Sequence, residues 1–328
     1  MFRRVYFFEV FALANLGVLY LIARHTLPIV GIPWRWIVIF ALGMVPQALA
    51  GIAARSLVAL IRRDFTYFHI IRSGAWIADT LRLMLFTGVM VFTYGWLKLV
   101  VPLLHPRLFD QELWDLDQLL FFGIAPSQFF ADVFHHGVLR AVDWSYANIF
   151  YASAFVAFAY FLSEPSRRVR VAFANGNAAM WIIGAWLYLL LPSLGPAYRF
   201  PDIWFAHEEA LKRTQALQAV LMRNYQNVLR VVSGQSPTDV IRIYFGIGAF
   251  PSLHVAFQMY VFLWMRRLWT SGEVLFAIFV LAIFLGSMIT GWHYLIDGIA
   301  GILLAWGCYA ATWRASRMSR WLAIKTAR

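Results

Sequence analysis

The chain has 328 residues, of which 62% are hydrophobic and 13% charged, and its formal net charge is +12. An ordinary soluble domain has about 25% charged residues, so this composition excludes a soluble protein that hides its apolar side chains in one core. The basic residues lie in short clusters between apolar runs, which is typical of membrane proteins. We therefore expect a lipid bilayer as partner and no nucleic acid. The single cysteine, Cys308, excludes an intrachain disulfide.

Eight apolar runs follow one another along the chain, and a membrane-spanning helix takes about 20 such residues. The runs cover 5–23, 34–53, 75–104, 144–162, 171–193, 250–265, 274–291 and 294–313. They predict an all-α polytopic membrane protein of about eight transmembrane helices. We divide it into an N-terminal two-span segment (1–74), a catalytic six-span domain (75–313) and a basic tail (314–328).

The positions of the basic residues predict the orientation of these spans. With eight spans, the arginine clusters all fall on one side, which the positive-inside rule makes cytoplasmic. They are Arg3, Arg4, Arg55, Arg62, Arg63, Arg72, Arg167, Arg168, Arg170, Arg266, Arg267, Arg314, Arg317, Arg320, Lys325 and Arg328. Both termini are then cytoplasmic, and the two long connections 105–143 and 194–249 lie on the other side.

The first long connection contains a predicted amphipathic helix at about 109–122. Leu113, Leu116, Leu119 and Leu120 recur at helical spacing, and we expect the acidic residues on the opposite face. Such helices lie along the membrane surface. This one is placed to shape lateral access of a lipid to the protein.

Three stretches at the predicted outer face carry residue types suited to chemistry: 195–201, 250–254 and 291–298. His293 and Asp297 are four positions apart, so they share one face of a helix, and a carboxylate can fix the tautomer of an imidazole. Taken alone, the pair is also compatible with an interfacial histidine beside a solvated carboxylate.

The stretch at 250–254 favours a shared site over two unrelated histidines. Pro251 suits the first turn of a helix, and Ser252 with the free N–H groups of that turn forms an anion site. His254 lies in the same turn. The sixth and seventh spans form a hairpin that returns the chain to the outer face at His293, so topology brings both histidines to one depth.

No metal or other cofactor is predicted. His135 and His136 are adjacent in a connection, and the full set of ligands that zinc requires is missing from the sequence around them.

The sequence Pro251-Ser252-Leu253-His254, followed by His293 and Asp297, resembles the motifs of the type 2 phosphatidic acid phosphatase superfamily. The nearest branch is that of the fungal inositol phosphorylceramide synthases and their bacterial relatives. The second motif of the superfamily is usually Pro-Ser-Gly-His, with Leu253 here in place of glycine.

The resemblance is incomplete at two basic positions. The third motif is usually Ser-Arg, five residues, His, three residues, Asp, and this chain has Gly286 and Ser287 in place of Ser-Arg. The first motif needs a lysine seven residues before Arg-Pro. Arg199 matches its arginine, but Pro192 stands in place of its lysine.

The resemblance implies that His293 attacks phosphorus to give a phosphohistidine, that Asp297 orients it and that His254 protonates the leaving oxygen. Arg199 would hold phosphate oxygens, with Ser252 at the anion site. Two further cations are candidates for the missing basic groups. Lys98 has the alternative of an interfacial lysine that reaches to the headgroups, and Arg242 that of a solvated loop charge.

These observations predict a lipid-phosphate phosphotransferase in a bacterial plasma membrane, with its site on the non-cytoplasmic face. The enzyme would move a phosphoryl or phospho-headgroup from a lipid phosphate to a polar alcohol. A lipid phosphatase, acting on phosphatidate or on polyprenyl phosphate or diphosphate, is the alternative with the same site. A catalytically silent lipid-binding or transport protein is the alternative from another class, and the intact His254, His293 and Asp297 argue against it.

Overall fold

The computed structural model describes residues 5–26 and 34–326, except for the side chains of Phe205 and of residues 315–326. Within these residues the regular secondary structure is helical, without a strand, which confirms the all-α class. Helical segments that are long and apolar enough to cross a membrane cover Phe7–Thr26, Trp34–Arg62, Gly74–Leu104, His136–Ser163, Thr270–Ile289 and Leu295–Arg314. The protein is therefore an integral, polytopic membrane protein.

The helices of the first half are α1 (Phe7–Thr26), α2 (Trp34–Leu42), α3 (Val45–Arg62), α4 (Thr66–Ile71), α5 (Gly74–Leu104), α6 (Asp110–Leu120), α7 (Pro126–Val133) and α8 (His136–Ser163). Those of the second half are α9 (Arg167–Leu187), α10 (Pro196–Arg199), α11 (Pro201–Phe205), α12 (Lys212–Val232), α13 (Leu253–Leu268), α14 (Glu273–Ile289) and α15 (Leu295–Thr326). A 3₁₀ turn, Thr270–Gly272, joins α13 to α14.

The fifth and sixth predicted spans correspond to α9 and α13, which are absent from the six candidate spans of the described chain. Helix α13 has 16 residues, and it packs against α9, α14 and α15. Most of its side chains are buried, because neighbouring helices surround it. These two helices therefore form the interior of the bundle, and a total of eight spans remains a prediction.

The N-terminal helices share a hydrophobic core with the rest of the bundle. Phe8 and Leu16 of α1 lie in the same buried cluster as Leu83 and Trp96 of α5. The predicted division at residue 74 is therefore not visible as a gap in packing. At the other end, α15 continues to Thr326, so the predicted basic tail begins inside a helix. Arg3, Arg4 and Arg328 lie outside the described residues.

Helix α6 forms where the sequence predicts it, but the expected position of two of its four acidic residues is wrong. Asp110, Leu113, Trp114 and Asp117 make up its buried face. The spacing of these four residues is helical, so the two aspartates point into the protein together with the apolar pair.

The exposed side of α6 carries Glu112 and Asp115 together with Leu119, and the turn after the helix is exposed and apolar. Leu119 is 80% exposed and Phe122 is 96% exposed, with Leu120 and Ile124 also exposed. Exposed apolar residues of this kind suit contact with the membrane interface, while the two buried aspartates supply hydrogen bonds inside the protein.

One end of the bundle, which we call the arginine end, is held by ion pairs between helices. Arg55 of α3 pairs with Glu164 after α8 at 2.6 Å, and Arg167 of α9 pairs with Asp79 of α5 at 2.8 Å. Arg82 of α5 pairs with Glu9 of α1. Five helices and helix ends are thereby joined by opposite charges.

Candidate active site

The three stretches singled out in the sequence lie together at the opposite end of the bundle, which we call the site end. The backbone N–H of Ser252 donates to the carbonyl of Asp297 at 2.9 Å, and that of Ala197 donates to the carbonyl of Gly291 at 3.0 Å. The N–H of Ala249 donates to the carbonyl of Ser193 at 2.9 Å. The segments before α10, α13 and α15 therefore form one hydrogen-bonded unit.

Two glycines make this close approach possible. Gly195 has φ +107° and Gly291 has φ +71°, in the left-handed region that side chains disfavour. A Cβ on Gly195 would lie 2.5 Å from the carbonyl oxygen of Trp292, and one on Gly291 would lie 2.6 Å from Cβ of Ala197. The first and third stretches fit together only because both positions lack a side chain.

Asp110 of α6 ties the first of these stretches to the third. Its carboxylate accepts the backbone N–H groups of Leu194 and Gly195, the latter at 2.9 Å, and the Tyr294 hydroxyl at 2.8 Å. Burial raises the pKa of Asp110, and these hydrogen bonds oppose the rise.

Asp117, two turns further along α6, caps the start of α15. It accepts the N–H groups of Leu295 at 2.6 Å and Ile296 at 3.0 Å. Burial raises the pKa of Asp117 to about 7, against the effect of the two N–H donors. Sequence reasoning missed both aspartates as site-building residues. The signal was their seven-residue spacing on the face that Leu113 and Trp114 share.

His293 is held by a backbone carbonyl. Its Nδ1 lies 2.9 Å from the carbonyl oxygen of Ala249 and 3.4 Å from Oδ2 of Asp297. A carbonyl only accepts, so Nδ1 carries the proton and Nε2 keeps its lone pair. Burial lowers the pKa of His293 to about 3, with the charge of Lys98 as the next cause, which favours the neutral imidazole.

Asp297 contacts His293 at a distance longer than a good hydrogen bond, so the predicted orienting role falls mainly to Ala249. Oδ2 of Asp297 accepts the N–H of Tyr294 at 2.9 Å, and Oδ1 is buried without a hydrogen-bond partner. The carboxylate lies close enough to stabilise positive charge that develops on His293.

His254 lies beside His293. The centroids of the two rings are 6.0 Å apart, and Phe150 of α8 packs against the His254 ring at 4.6 Å. Ser252 is the N-cap of α13, and its Oγ accepts the N–H of Val255 at 3.4 Å. This hydroxyl is buried and does not line the cavity, so Ser252 positions the turn that carries His254.

A cavity of about 310 Å³ opens onto both histidines. Its wall comes from α5, α8, α12 and the loop before α13. The lining includes Lys98, Asp143, Trp144, Asn148, Tyr151, Arg213, Leu217, His254 and His293. The cavity thus joins a polar inner end at the histidines to a largely apolar outer part.

Lys98 is the cation at the inner end. Its Nζ lies 4.8 Å from the ring centroid of Tyr94 and 5.1 Å from that of Tyr188. Among the described residues, no carboxylate forms an ion pair with it. Of the three cations that the sequence offered, the structure brings this one to the histidines.

The other two cations lie away from the cavity wall. Arg199 stacks on Phe200, with its guanidinium carbon 5.6 Å from the ring centroid, and Arg242 stacks on Phe245 at 5.3 Å. Arg199, the arginine of the first motif that this sequence keeps, therefore does not line the cavity. Arg213, in the first turn of α12, does line it. Sequence reasoning missed Arg213 because only the path of α12 brings it there.

Within the described chain, no group of three or more histidine, cysteine, aspartate or glutamate residues is placed to hold a metal ion. His135 is the N-cap of α8, where its Nδ1 accepts the N–H of Gly137 at 3.2 Å. His136 follows as the first residue of the helix.

A sequence model of the PAP2 superfamily matches residues 111–311. A search of curated proteins and a search of solved structures each gave no match. The matched segment contains both histidines and Asp297, begins just inside α6 and covers more than half of the chain. This protein therefore belongs to the PAP2 superfamily, whose members are generally phosphatases or phosphotransferases.

Proposed function

We propose that this protein is a lipid-phosphate phosphotransferase that works through a phosphohistidine on His293. The observation that carries the proposal is one cavity in which a histidine with a free Nε2, a second histidine and a lysine meet, and no carboxylate of the described part of the chain pairs with that lysine. The inositol phosphorylceramide synthase-like branch is part of this proposal, on the strength of the Pro-Ser-Leu-His sequence.

The reaction has two displacements. Nε2 of His293 attacks phosphorus, the bond from phosphorus to the leaving oxygen breaks, and His254 gives its proton to that oxygen. An alcohol then loses its proton to His254 and attacks phosphorus, which breaks the phosphorus–nitrogen bond and restores His293. The ring centroids of the two histidines are 6.0 Å apart, so both side chains are within reach of one phosphoryl group in the cavity.

Lys98 supplies the positive charge for this chemistry. Charge builds on the phosphoryl oxygens in the transition state, and a fixed cation in a cavity shielded from water stabilises it more than water does. Because no carboxylate among the described residues pairs with Lys98, its charge is not already neutralised.

The cavity wall supports a lipid substrate. Trp144 and Tyr151 of α8 are exposed on the outside of the bundle, as is Leu217 of α12, and all three also line the cavity. A phosphate at the histidines would leave its lipid tail between α8 and α12. The sequence suggested that the helix at 109–122 shapes this access, and α8 with α12 is the better candidate.

Hydrolysis of the phosphohistidine is the second candidate function. Asp143 and Asn148 make part of the cavity wall polar, so water can reach the phosphoenzyme. The two candidates share the first displacement and differ in the acceptor. Short-chain phosphatidate and a phosphatidylinositol, each with and without added alcohols, separate transfer from hydrolysis by their products.

The central test is chemical trapping of the phosphoenzyme. With ³²P-labelled short-chain phosphatidate, we expect an acid-labile, base-stable adduct on His293 after a rapid quench. His293→Ala should lose both the adduct and the activity, while the matched variant His69→Ala, at an exposed position of α4, should keep both. Full activity in His293→Ala would disprove the proposal.

We also propose that the site end faces the non-cytoplasmic side, as the arginine clusters indicate. Ser233 and Ser271 are exposed serines after α12 and before α14. Each is replaced by cysteine in a Cys308→Ala background, and intact cells are treated with an impermeant thiol reagent. Labelling of Ser233→Cys alone is expected, and labelling of Ser271→Cys alone would reverse the orientation.

A further inference from the structure

The side chain of Lys98 is held between two tyrosine rings. Tyr94 precedes it by four residues on α5, so the two side chains lie on one face of the helix. Tyr188 comes from the end of α9. The Nζ distances of 4.8 Å and 5.1 Å to the two ring centroids are within the range of cation–π attraction.

The stem of Lys98 is confined as well. A Cβ on Gly246 would collide with Cβ of Lys98, and one on Gly248 would lie 3.2 Å from the ring of Tyr188. The loop 246–248 therefore lies directly against the lysine stem and one of its rings. A four-carbon chain that otherwise rotates freely is kept at the inner end of the cavity.

The third superfamily motif provides no cation at its usual place. Ser287 stands at the position of its arginine and is buried, and its hydroxyl donates to the carbonyl of Phe284 at 2.8 Å. The positive charge near the histidines therefore has to come from another element, and among the predicted candidates only Lys98 lines the cavity.

We propose that Tyr94 and Tyr188 are positioning residues that fix the Lys98 ammonium as the phosphate-binding cation of this site. A carboxylate would fix the ammonium equally well, but it would neutralise the charge that a phosphate needs. Ring faces attract the ammonium through their quadrupole and leave its net charge intact. This inference rests on the proposed function, because it assigns a task within the same site.

The test compares phenylalanine with leucine at each position, since phenylalanine keeps the ring and leucine removes it. We measure inhibition by orthovanadate, a phosphate mimic, in assays with short-chain phosphatidate. Tyr94→Phe and Tyr188→Phe should stay within about threefold of the wild type. The leucine variants should bind orthovanadate about tenfold more weakly, as loss of one cation–π contact implies.

Rescue by phenylalanine separates positioning from simple damage to the fold, because the phenylalanine variants keep the ring face that the leucine variants lose. The matched control is Tyr160→Leu, because Tyr160 faces Arg55 at 4.5 Å at the arginine end. Its inhibition by orthovanadate should equal that of the wild type.

Tyr94→Leu decides the result, since Tyr94 is less buried than Tyr188 and its replacement disturbs the core less. Unchanged orthovanadate inhibition in this variant would overturn the inference. Equal losses in Tyr94→Phe and Tyr94→Leu would also overturn it, because the ring would not be the cause. In both cases an intact phosphohistidine in the wild type leaves the proposed function standing, whereas absence of that adduct disproves the proposed function itself.

Discussion

The arginine end and the site end of the bundle use charged side chains in opposite ways. At the arginine end, Arg55 pairs with Glu164 and Arg167 with Asp79. At the site end, the carboxylates bind backbone N–H groups, as Asp117 does with Leu295. Helix α5 connects the two ends, since Arg82 and Lys98 are sixteen residues and about 24 Å apart along it.

The difference shows how a cation can be kept ready for an anionic substrate. At the arginine end, each carboxylate neutralises the charge of the arginine that it pairs with, and the pair joins two helices. At the site end, Asp110 and Asp117 are committed to backbone groups, and Asp143 accepts the N–H groups of Arg213 and Thr214. Lys98 is then left with aromatic neighbours.

Among variants that keep the nucleophile His293, the largest effect is expected from His254→Ala. General-acid help contributes about a hundredfold to ten-thousandfold, and that factor should be lost with an alkyl phosphate. A nitrophenyl phosphate, whose leaving group needs no proton, should recover much of it. We compare kcat for both substrates in wild type and variant. An equal loss with both would mean that His254 does not act as the acid.

The next largest effect should follow from removing the positive charge of Lys98. Lys98→Met keeps the volume of the stem and removes the charge, so kcat should fall about a hundredfold to a thousandfold, the usual range for a lost transition-state contact. Arg242→Gln, at an exposed cation away from the cavity, is the matched control and should stay near wild type. Equal kcat values in Lys98→Met and Arg242→Gln would show that the charge of Lys98 has no special role at the site end.

A smaller effect should follow from removing a site-end carboxylate. Asp117→Ala leaves two backbone N–H groups at the start of α15 without their acceptor, a loss of about 1–3 kcal/mol per buried group. We expect a lower thermal midpoint in detergent and reduced activity. Asp115→Ala, exposed on the same helix, is the control. Equal thermal midpoints in the two variants would show that Asp117 does not stabilise the start of α15.

The smallest effect on activity is expected at the arginine end. Arg55→Gln removes one partly exposed ion pair, with a contribution of up to about 1 kcal/mol. Thermal stability should fall slightly, and kcat of the folded protein should stay unchanged. A double-mutant cycle with Glu164→Gln measures the coupling. A large loss of kcat with normal stability would show that the two ends are not independent.

Much of the fold follows from the sequence because apolar runs and their spacing are local signals. The runs predicted the helices of the bundle, and chain order brought His254 and His293 to one depth. The interior position of α13 was not predictable, since a short apolar run looks the same whether lipid or protein surrounds it.

The details of the site depended on contacts between distant segments. Asp110 and Asp117 were predicted on the wrong face of α6 because their hydrogen-bond partners lie 84 and 178 positions away in the chain. The choice between Lys98, Arg199 and Arg242 required the relative placement of α5, α10 and the loop after α12. The local periodicity of a sequence contains neither the contacts between distant segments nor the relative placement of helices and loops.

The bonds of α6 also set the order in which the protein can be completed during synthesis. Helix α6 is made early, yet Asp117 has its partners at Leu295 and Ile296, in the first turn of α15. Until α15 is made, Asp117 therefore lacks both backbone donors that it binds. A ribosome-bound chain that stops before α15 also lacks Asp297, so the group of residues around His293 is complete only after α15 has been synthesised.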